Sequence, residues 1–81
     1  MNDDLLPDLI AAVEQQLNSP QTPYVADTLR RLLELGIDRD EAVSEIAICL
    51  GEEMDQVLRK RRAFDELAYR TNLQKLPAAD E

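Results

Sequence analysis

The stretch DRDEAVSEIAICLGEEMDQVL, residues 38–58, decides the fold of this chain. Its apolar residues recur at three- and four-residue steps, which places them on one face of a helix. Asp38 and Glu41 have the spacing of a capping box, so the helix is predicted to begin at about Arg39. The members of the apolar face are Val43, Ile46, Ala47, Leu50, Met54, Val57 and Leu58. Ile48 and Cys49 widen it, so we expect the first half of this helix to be the most buried element.

Gly51 leaves two alternatives for this segment. If it breaks the helix, two short helices are joined by a turn; if it does not, one helix runs from about Arg39 past Arg62. The apolar register crosses Gly51 without a slip, and a glycine inside a helix costs only about 1 kcal/mol relative to alanine. The register therefore favours one continuous helix.

Two helices are predicted before this segment. An apolar stripe indicates a first helix from about Leu5 to Leu17, with Asp3 and Asp4 as candidate caps. A loop follows, and Thr22 before Pro23 is typical of a helix start, with a hydroxyl cap and proline in the first turn. This second helix should end near Leu35, because Gly36 can take the left-handed conformation that closes a helix.

A further stripe, beginning at Phe64 and Leu67, predicts helical structure near the carboxyl end. We therefore predict an all-α fold: a small bundle of three to four helices with one long central helix. Residues 1–81 form a single helical domain in this prediction, with frayed ends at 1–4 and 77–81.

Composition excludes several kinds of chemistry. The 81 residues include no His and one Cys, which removes His-based acid–base catalysis, Cys–His nucleophile pairs and the usual zinc sites. Glu41, Glu45, Glu52 and Asp55 share a helical face, but without His they are expected to be a solvated acidic surface. Cys49 is expected to be a small buried hydrophobe. We predict no enzyme activity, no cofactor and no metal.

Charge is unevenly distributed along the chain. Nine Lys and Arg against seventeen Asp and Glu give a net charge of −8, yet residues 56–81 carry six bases and four acids. The run Arg59-Lys60-Arg61-Arg62, together with Arg70, is the candidate partner-contact site. The alternative is a solvated helix end, with Asp55–Arg59 and Glu66–Arg70 as ordinary i,i+4 pairs.

A helix-turn-helix is the alternative interpretation of the central segment. Ala47, Gly51 and Val57 have its spacing, and the residues after Gly51 would then form a recognition helix. Its first residues would include Glu52, Glu53 and Asp55, whose carboxylates repel phosphate. The overall acidity also disfavours nucleic acid and anionic membranes as partners.

Several short motifs together resemble one known family. They are VEQQL at 13–17, Pro23-x-Val25, LRRL at 29–32, GIDRDEA at 36–42, Ile46-Ala47, Glu52-Glu53-Met54, Val57-Leu58, Phe64-Asp65 and Tyr69. This set is similar to domain-of-unknown-function family 1841, short bacterial all-α proteins of unknown function. The resemblance implies the helical fold and an unbroken helix through Gly51, and it implies no activity. Family members often carry His at positions that match Leu6, Ile10 and Ser44, so any function of those histidines would be lost here.

The function predicted from these observations is a non-enzymatic protein–protein interaction module. Surplus apolar helix surface would dock against a helix of an unknown protein partner, or of a second copy as a homodimer. The lone Cys, the acidic first residues and the lack of an apolar run of about 20 residues predict a cytoplasmic location. The alternative function is a helix-turn-helix DNA-binding regulator.

Overall fold

The computed structural model describes residues 5–77, which form four helices and, within that range, no strand. Helix α1 spans Leu5–Leu17, α2 Pro23–Glu34, α3 Arg39–Lys60 and α4 Glu66–Gln74. The predicted all-α bundle on one long central helix is confirmed. The candidate caps Asp3 and Asp4 and the ends predicted to fray, apart from Pro77, lie outside the described residues.

Helix α3 is continuous through Gly51, as the apolar register predicted. The glycine lies where α1 comes very close to α3. A Cβ atom at this position would be 2.9 Å from Cδ1 of Leu9, tighter than van der Waals contact allows. Gly51 therefore lowers helix propensity but lets the Leu9 side chain lie directly against the α3 backbone.

The two ends of α3 differ in how well they were predicted. At the start, the Asp38 carboxylate accepts a hydrogen bond from Asp40 N–H at 3.1 Å, which satisfies one free donor of the first turn. At the other end, the predicted extension past Arg62 is wrong. Arg61 adopts a left-handed conformation, with φ of 51°, and its N–H bonds back to the carbonyl of Val57. This stop uses no glycine, so the sequence carried no signal for it.

Helix α2 begins at the predicted proline and ends at the predicted glycine, although its amino-terminal cap differs from the prediction. Pro23 is in the first turn, but the Thr22 hydroxyl does not cap α2; it donates to the carbonyl of Gln16 at 2.9 Å. It thus satisfies the end of α1 instead. Gly36 has a φ of 92°, and the N–H of Ile37 bonds to the carbonyl of Leu32 at 3.1 Å, which is the predicted glycine-terminated stop.

The core lies where α1, α2 and α4 meet the first half of α3. Tyr69 of α4 is the largest fully buried side chain, and its hydroxyl donates to Oε1 of Gln16 in α1 at 2.7 Å. Its ring meets the ring of Tyr24 edge to face, with centroids 6.0 Å apart. The other buried apolar residues are Val13, Val25, Leu29, Leu32, Ala42, Val43, Ile46, Ala47, Cys49, Leu50, Leu73 and Leu76.

Helix α4 is short and is held at both ends by α2. The Arg31 guanidinium donates to the carbonyls of Leu73, at 2.9 Å, and Leu76, so it caps the carboxyl end of α4. Near the amino end of α4, the Tyr24 hydroxyl donates to Glu66 Oε2 at 2.8 Å. Nine helical residues are too few to be stable alone, so these contacts position α4 against the bundle.

Met54 and Leu58 do not belong to the core, contrary to the prediction that they continue its apolar face. They are 47% and 76% exposed. The helical register of α3 is regular, but none of the described helices covers this last part of it. Periodicity identifies a helix face without showing how far its neighbours extend along it.

Candidate functional site

An open groove lies along α3 between α1 and α4. Leu5, Leu6 and Leu9 of α1 line it together with Ile48 and Gly51 of α3, and Asn72 contributes from α4. Its volume is about 740 Å³. The groove exists because α1 and α4 both pack on α3 without packing on each other at this level.

A smaller hollow of about 240 Å³ continues the groove towards the carboxyl end of α4. It shares Ile48, Glu52 and Asn72 with the larger part and adds Glu45 and Cys49, among others. We call the combined depression the α3 groove. On α3 it extends from Glu45 to Gln56, roughly 16 Å at 1.5 Å per helical residue.

Apolar side chains in the α3 groove are open to solvent. Leu5 is 59% exposed, Leu6 is 36% exposed and Ile48 is 51% exposed. Single exposed apolar residues are common on protein surfaces, whereas three beside one concave surface are typical of a contact area. Ile48 was predicted to widen the buried apolar face of α3, but it is exposed and lies in the groove instead. The groove itself was not predicted, since it depends on where α1 and α4 lie.

Acidic residues surround this apolar surface. Glu45, Glu52 and Asp55 all line the α3 groove, and Lys75 is the one basic residue among the described residues that line it. Oε1 of Glu45 is buried and has no hydrogen-bond partner. Burial raises the pKa of Glu45 above its usual value, and the neighbouring Glu41 carboxylate raises it further. The groove therefore combines apolar surface with acidic side chains, of which Asp55 pairs with Arg59 and Glu45 keeps one oxygen without a partner.

Cys49 is buried at the edge of the groove, as predicted for a small hydrophobe. Its burial raises the pKa of the thiol to about 11, with further contributions from the Glu52 and Glu45 carboxylates. The thiolate is the nucleophilic form, and at neutral pH this environment keeps Cys49 protonated.

Glu53 is the residue whose role sequence reasoning missed. It is only 2% exposed, and its carboxylate accepts two hydrogen bonds from the Arg62 guanidinium, at 2.6 and 3.0 Å. It also accepts the Asp65 N–H at 2.8 Å. Arg62 and the Asp65 N–H together lower the pKa of Glu53 below its usual value. Glu53 therefore fixes the connection between α3 and α4.

Asp65 completes this arrangement by capping α4. Its side chain accepts the N–H of Ala68 at 3.1 Å, so the same residue gives its own N–H to Glu53 and begins the next helix. Asp is a preferred N-cap residue, so the Asp65 cap has a local signal, whereas Glu53 and Arg62 are nine residues apart. No helical spacing rule connects two residues at that separation.

The predicted partner-contact residues do not form one patch. Arg62 is turned inward to Glu53, and Arg59 pairs with Asp55 at 2.7 Å on the solvent side, as the i,i+4 spacing indicated. Lys60 ends α3 and Arg61 follows in the turn, both exposed. Arg70, also predicted to contact a partner, lies elsewhere: its guanidinium is 5.1 Å from the centre of the Tyr24 ring.

The two tyrosines that carry hydrogen bonds are kept neutral by their surroundings. Burial raises the pKa of Tyr24 to about 12, and its hydrogen bond to Glu66 contributes in the same direction. Burial likewise raises the pKa of Tyr69. Both phenols act as hydrogen-bond donors that position helices.

Two further findings concern metals and membranes. Within residues 5–77, no group of three or more Cys, Asp or Glu side chains is arranged to hold a metal ion. Over the same part of the chain, no helix combines the length and apolarity needed to cross a lipid bilayer.

Comparison of the chain with known protein families, with curated proteins and with solved structures found no match. The resemblance to domain-of-unknown-function family 1841 therefore stays a prediction. What the chain does has to be inferred from the geometry of the bundle itself.

Proposed function

We propose that this chain is a non-enzymatic protein–protein interaction module whose α3 groove docks a helix of another protein. The observation that carries the proposal is the exposure of Leu5, Leu6 and Ile48 beside one open concave surface. Covering apolar surface is favourable by about 25 cal/mol per Å², and a helix laid in a groove covers it efficiently.

The state of the reactive side chains supports the non-enzymatic part of the proposal. Cys49 and Tyr24 have pKa values raised by burial, so both remain protonated at neutral pH. The Glu53 carboxylate is fully used in binding Arg62 and the Asp65 N–H. Cys49, Tyr24 and Glu53 thus have apolar surroundings or structural partners, which is common outside active sites.

DNA binding remains the alternative function, and it now rests on residue spacing alone. A helix-turn-helix needs a turn near Gly51, where α3 is continuous, and Glu53 would have to face DNA rather than Arg62. Retention on duplex DNA that falls steeply with salt would favour this alternative. We expect the chain to flow through a duplex-DNA column at about 50 mM salt.

We also propose a cytoplasmic location and a partner that is either another protein or a second copy. A homodimer would give a sedimentation mass twice that of the monomer, and the mass would fall on dilution. Exposed Lys60 and Arg61 are proposed to add contacts to an acidic part of the partner.

The test of the interaction module is affinity capture with a matched pair of variants. Ile48→Asp places a charge in the α3 groove, whereas Leu67→Asp makes the same kind of change on an exposed residue that does not line it. Tagged wild type and L67D should capture the same proteins, identified by mass spectrometry, and I48D should lose them. Circular dichroism spectra that match wild type would show that both variants fold. Equal capture by all three proteins would contradict the role of the groove.

A further inference from the structure

We infer that the helix accepted by the α3 groove is amphipathic and basic, with Lys or Arg residues flanking its apolar face. This inference rests on the proposed function and adds the chemistry of the partner. It follows from three features of the groove: its length, its acidic lining and the unpartnered oxygen of Glu45.

The length of the groove matches about three helical turns. The lining residues on α3 span Glu45 to Gln56, and the partner helix would need about 11 residues to follow them. Such a segment presents three or four apolar side chains at three- and four-residue steps. Those side chains would contact Leu5, Leu6 and Ile48, which are exposed in the chain alone.

The acidic lining of the groove favours basic residues on the rest of the partner helix. Glu45, Glu52 and Asp55 line the groove, and the whole chain has a net charge of −8, so a basic segment is attracted at long range and at contact. An acidic helix would meet like charge at Glu45, Glu52 and Asp55, and Lys75 is the one opposite charge among the described residues that line the groove. A second copy of this chain is disfavoured for the same reason, because each copy carries −8.

Glu45 provides the most specific contact. Its Oε1 atom is buried without a hydrogen-bond partner at one end of the groove. A buried acceptor that lacks a partner is unfavourable. The Glu45 side chain is half-buried and lines the hollow, so a rotation of its carboxylate would bring it to a Lys ammonium or Arg guanidinium of a docked helix, which is a charge-assisted donor. The adjacent apolar surface of Ile48 would exclude water from that contact and strengthen it.

The experiment uses the full chain and two synthetic probes of about 14 residues. One is a Leu/Lys peptide with leucines on one helical face, and the other replaces every Lys by Glu. At about 150 mM salt, backbone NMR shifts should change on addition of the Leu/Lys peptide, and they should cluster on residues that line the α3 groove. The Leu/Glu peptide should cause no change, and about 500 mM salt should weaken the Leu/Lys complex.

Matched variants then test the individual contacts. Glu45→Gln should weaken binding of the Leu/Lys peptide roughly tenfold, because it removes the charged acceptor. Glu34→Gln, at the exposed end of α2 outside the groove, removes the same charge and should leave the affinity within about twofold. Ile48→Asp should reduce binding by removing the apolar contact.

Three results would overturn the inference: binding of both peptides, shifts that cluster away from the groove, or equal loss in E45Q and E34Q. Sedimentation of the chain alone at twice the monomer mass, abolished by I48D, would make a second copy the occupant and would overturn it as well. If the Leu/Lys peptide does not bind, but the groove is needed for the capture of non-basic proteins, the partner is not basic and the interaction module stands. Failure of both experiments would contradict the module itself.

Discussion

The two halves of α3, on either side of Gly51, are held in the bundle by different forces. The half before Gly51 buries six apolar residues: Ala42, Val43, Ile46, Ala47, Cys49 and Leu50. The half after it buries one residue, Glu53, which is charged and paired with Arg62. One unbroken helix thus passes from an apolar core into a polar connection.

The difference shows that helix continuity does not imply uniform stabilisation. Apolar burial is non-directional and tolerates changes in pH and salt, whereas the Glu53–Arg62 pair requires fixed geometry and an ionised carboxylate. Burying an ion pair also costs desolvation energy, so the pair stabilises the fold only when both charged groups and their hydrogen bonds are present. The two halves should therefore respond to different perturbations.

The largest effect is expected from Ile46→Ala in the first half. Ile46 is fully buried, so the substitution leaves a cavity and should lower the free energy of unfolding by about 3 kcal/mol. Met54→Ala in the second half is the control, and it should change stability by less than about 0.5 kcal/mol. Urea denaturation followed by circular dichroism measures both. Similar losses in the two variants would remove the contrast between the halves.

Glu53→Gln should give the next largest effect. The amide can still accept one hydrogen bond, but it leaves the Arg62 guanidinium without its opposite charge. We expect Tm to fall by about 5–10 °C. Asp55→Asn removes the carboxylate from the exposed pair with Arg59 and should shift Tm by no more than about 2 °C. If E53Q and D55N lower Tm by the same amount, the burial of Glu53 adds nothing to the stability that its ion pair provides.

The pH dependence of stability should separate the halves further. Because the pKa of Glu53 is lowered in the folded chain, its contribution is full above the unfolded value of about 4.5 and is lost as pH falls through the folded pKa. The Tm difference between wild type and E53Q should therefore be greatest near pH 7 and disappear in acid. The Tm difference between wild type and I46A should change little with pH. A constant difference for E53Q would contradict the ion-pair role.

Gly51→Ala should have the smallest effect. Alanine gains about 1 kcal/mol of helix propensity, but its Cβ would press on Cδ1 of Leu9, the flexible end of a half-buried side chain. We expect stability within about 0.5 kcal/mol of wild type. In a Leu9→Ala background, where the contact is gone, the same substitution should gain about 1 kcal/mol. A loss of more than about 2 kcal/mol in G51A would mean that α1 cannot adjust.

The fold could be predicted because its signals are local. Gly36 and Ile37 form a stop that sequence alone specifies, and the register through Gly51 is a property of one segment. The prediction that Thr22 caps α2 was wrong: an N-cap hydroxyl accepts an N–H of the first turn, whereas the Thr22 hydroxyl donates to the Gln16 carbonyl at the end of α1. Which of these two hydrogen bonds forms depends on how the chain turns after α1.

The candidate site was harder to predict because it depends on relations between helices. Only the helix-turn-helix alternative assigned Glu53 a position, facing DNA, yet it is buried against Arg62 across a turn formed by non-glycine Arg61. The run Arg59-Lys60-Arg61-Arg62 was chosen as a site because its residues are adjacent in the sequence, although adjacent helical residues point in different directions. The α3 groove was not predicted, because its walls belong to segments that are far apart in the sequence.

The contact between Tyr24 and Tyr69 gives the protein an internal optical reporter. The chain has no Trp, so these two rings, 6.0 Å apart and nearly perpendicular, dominate its near-ultraviolet absorption. One ring belongs to α2 and the other to α4, and the signal that ordered packing gives them would vanish if α4 detached. Near-ultraviolet circular dichroism can therefore follow the docking of nine residues without any label, while the far-ultraviolet signal follows the helices as a whole.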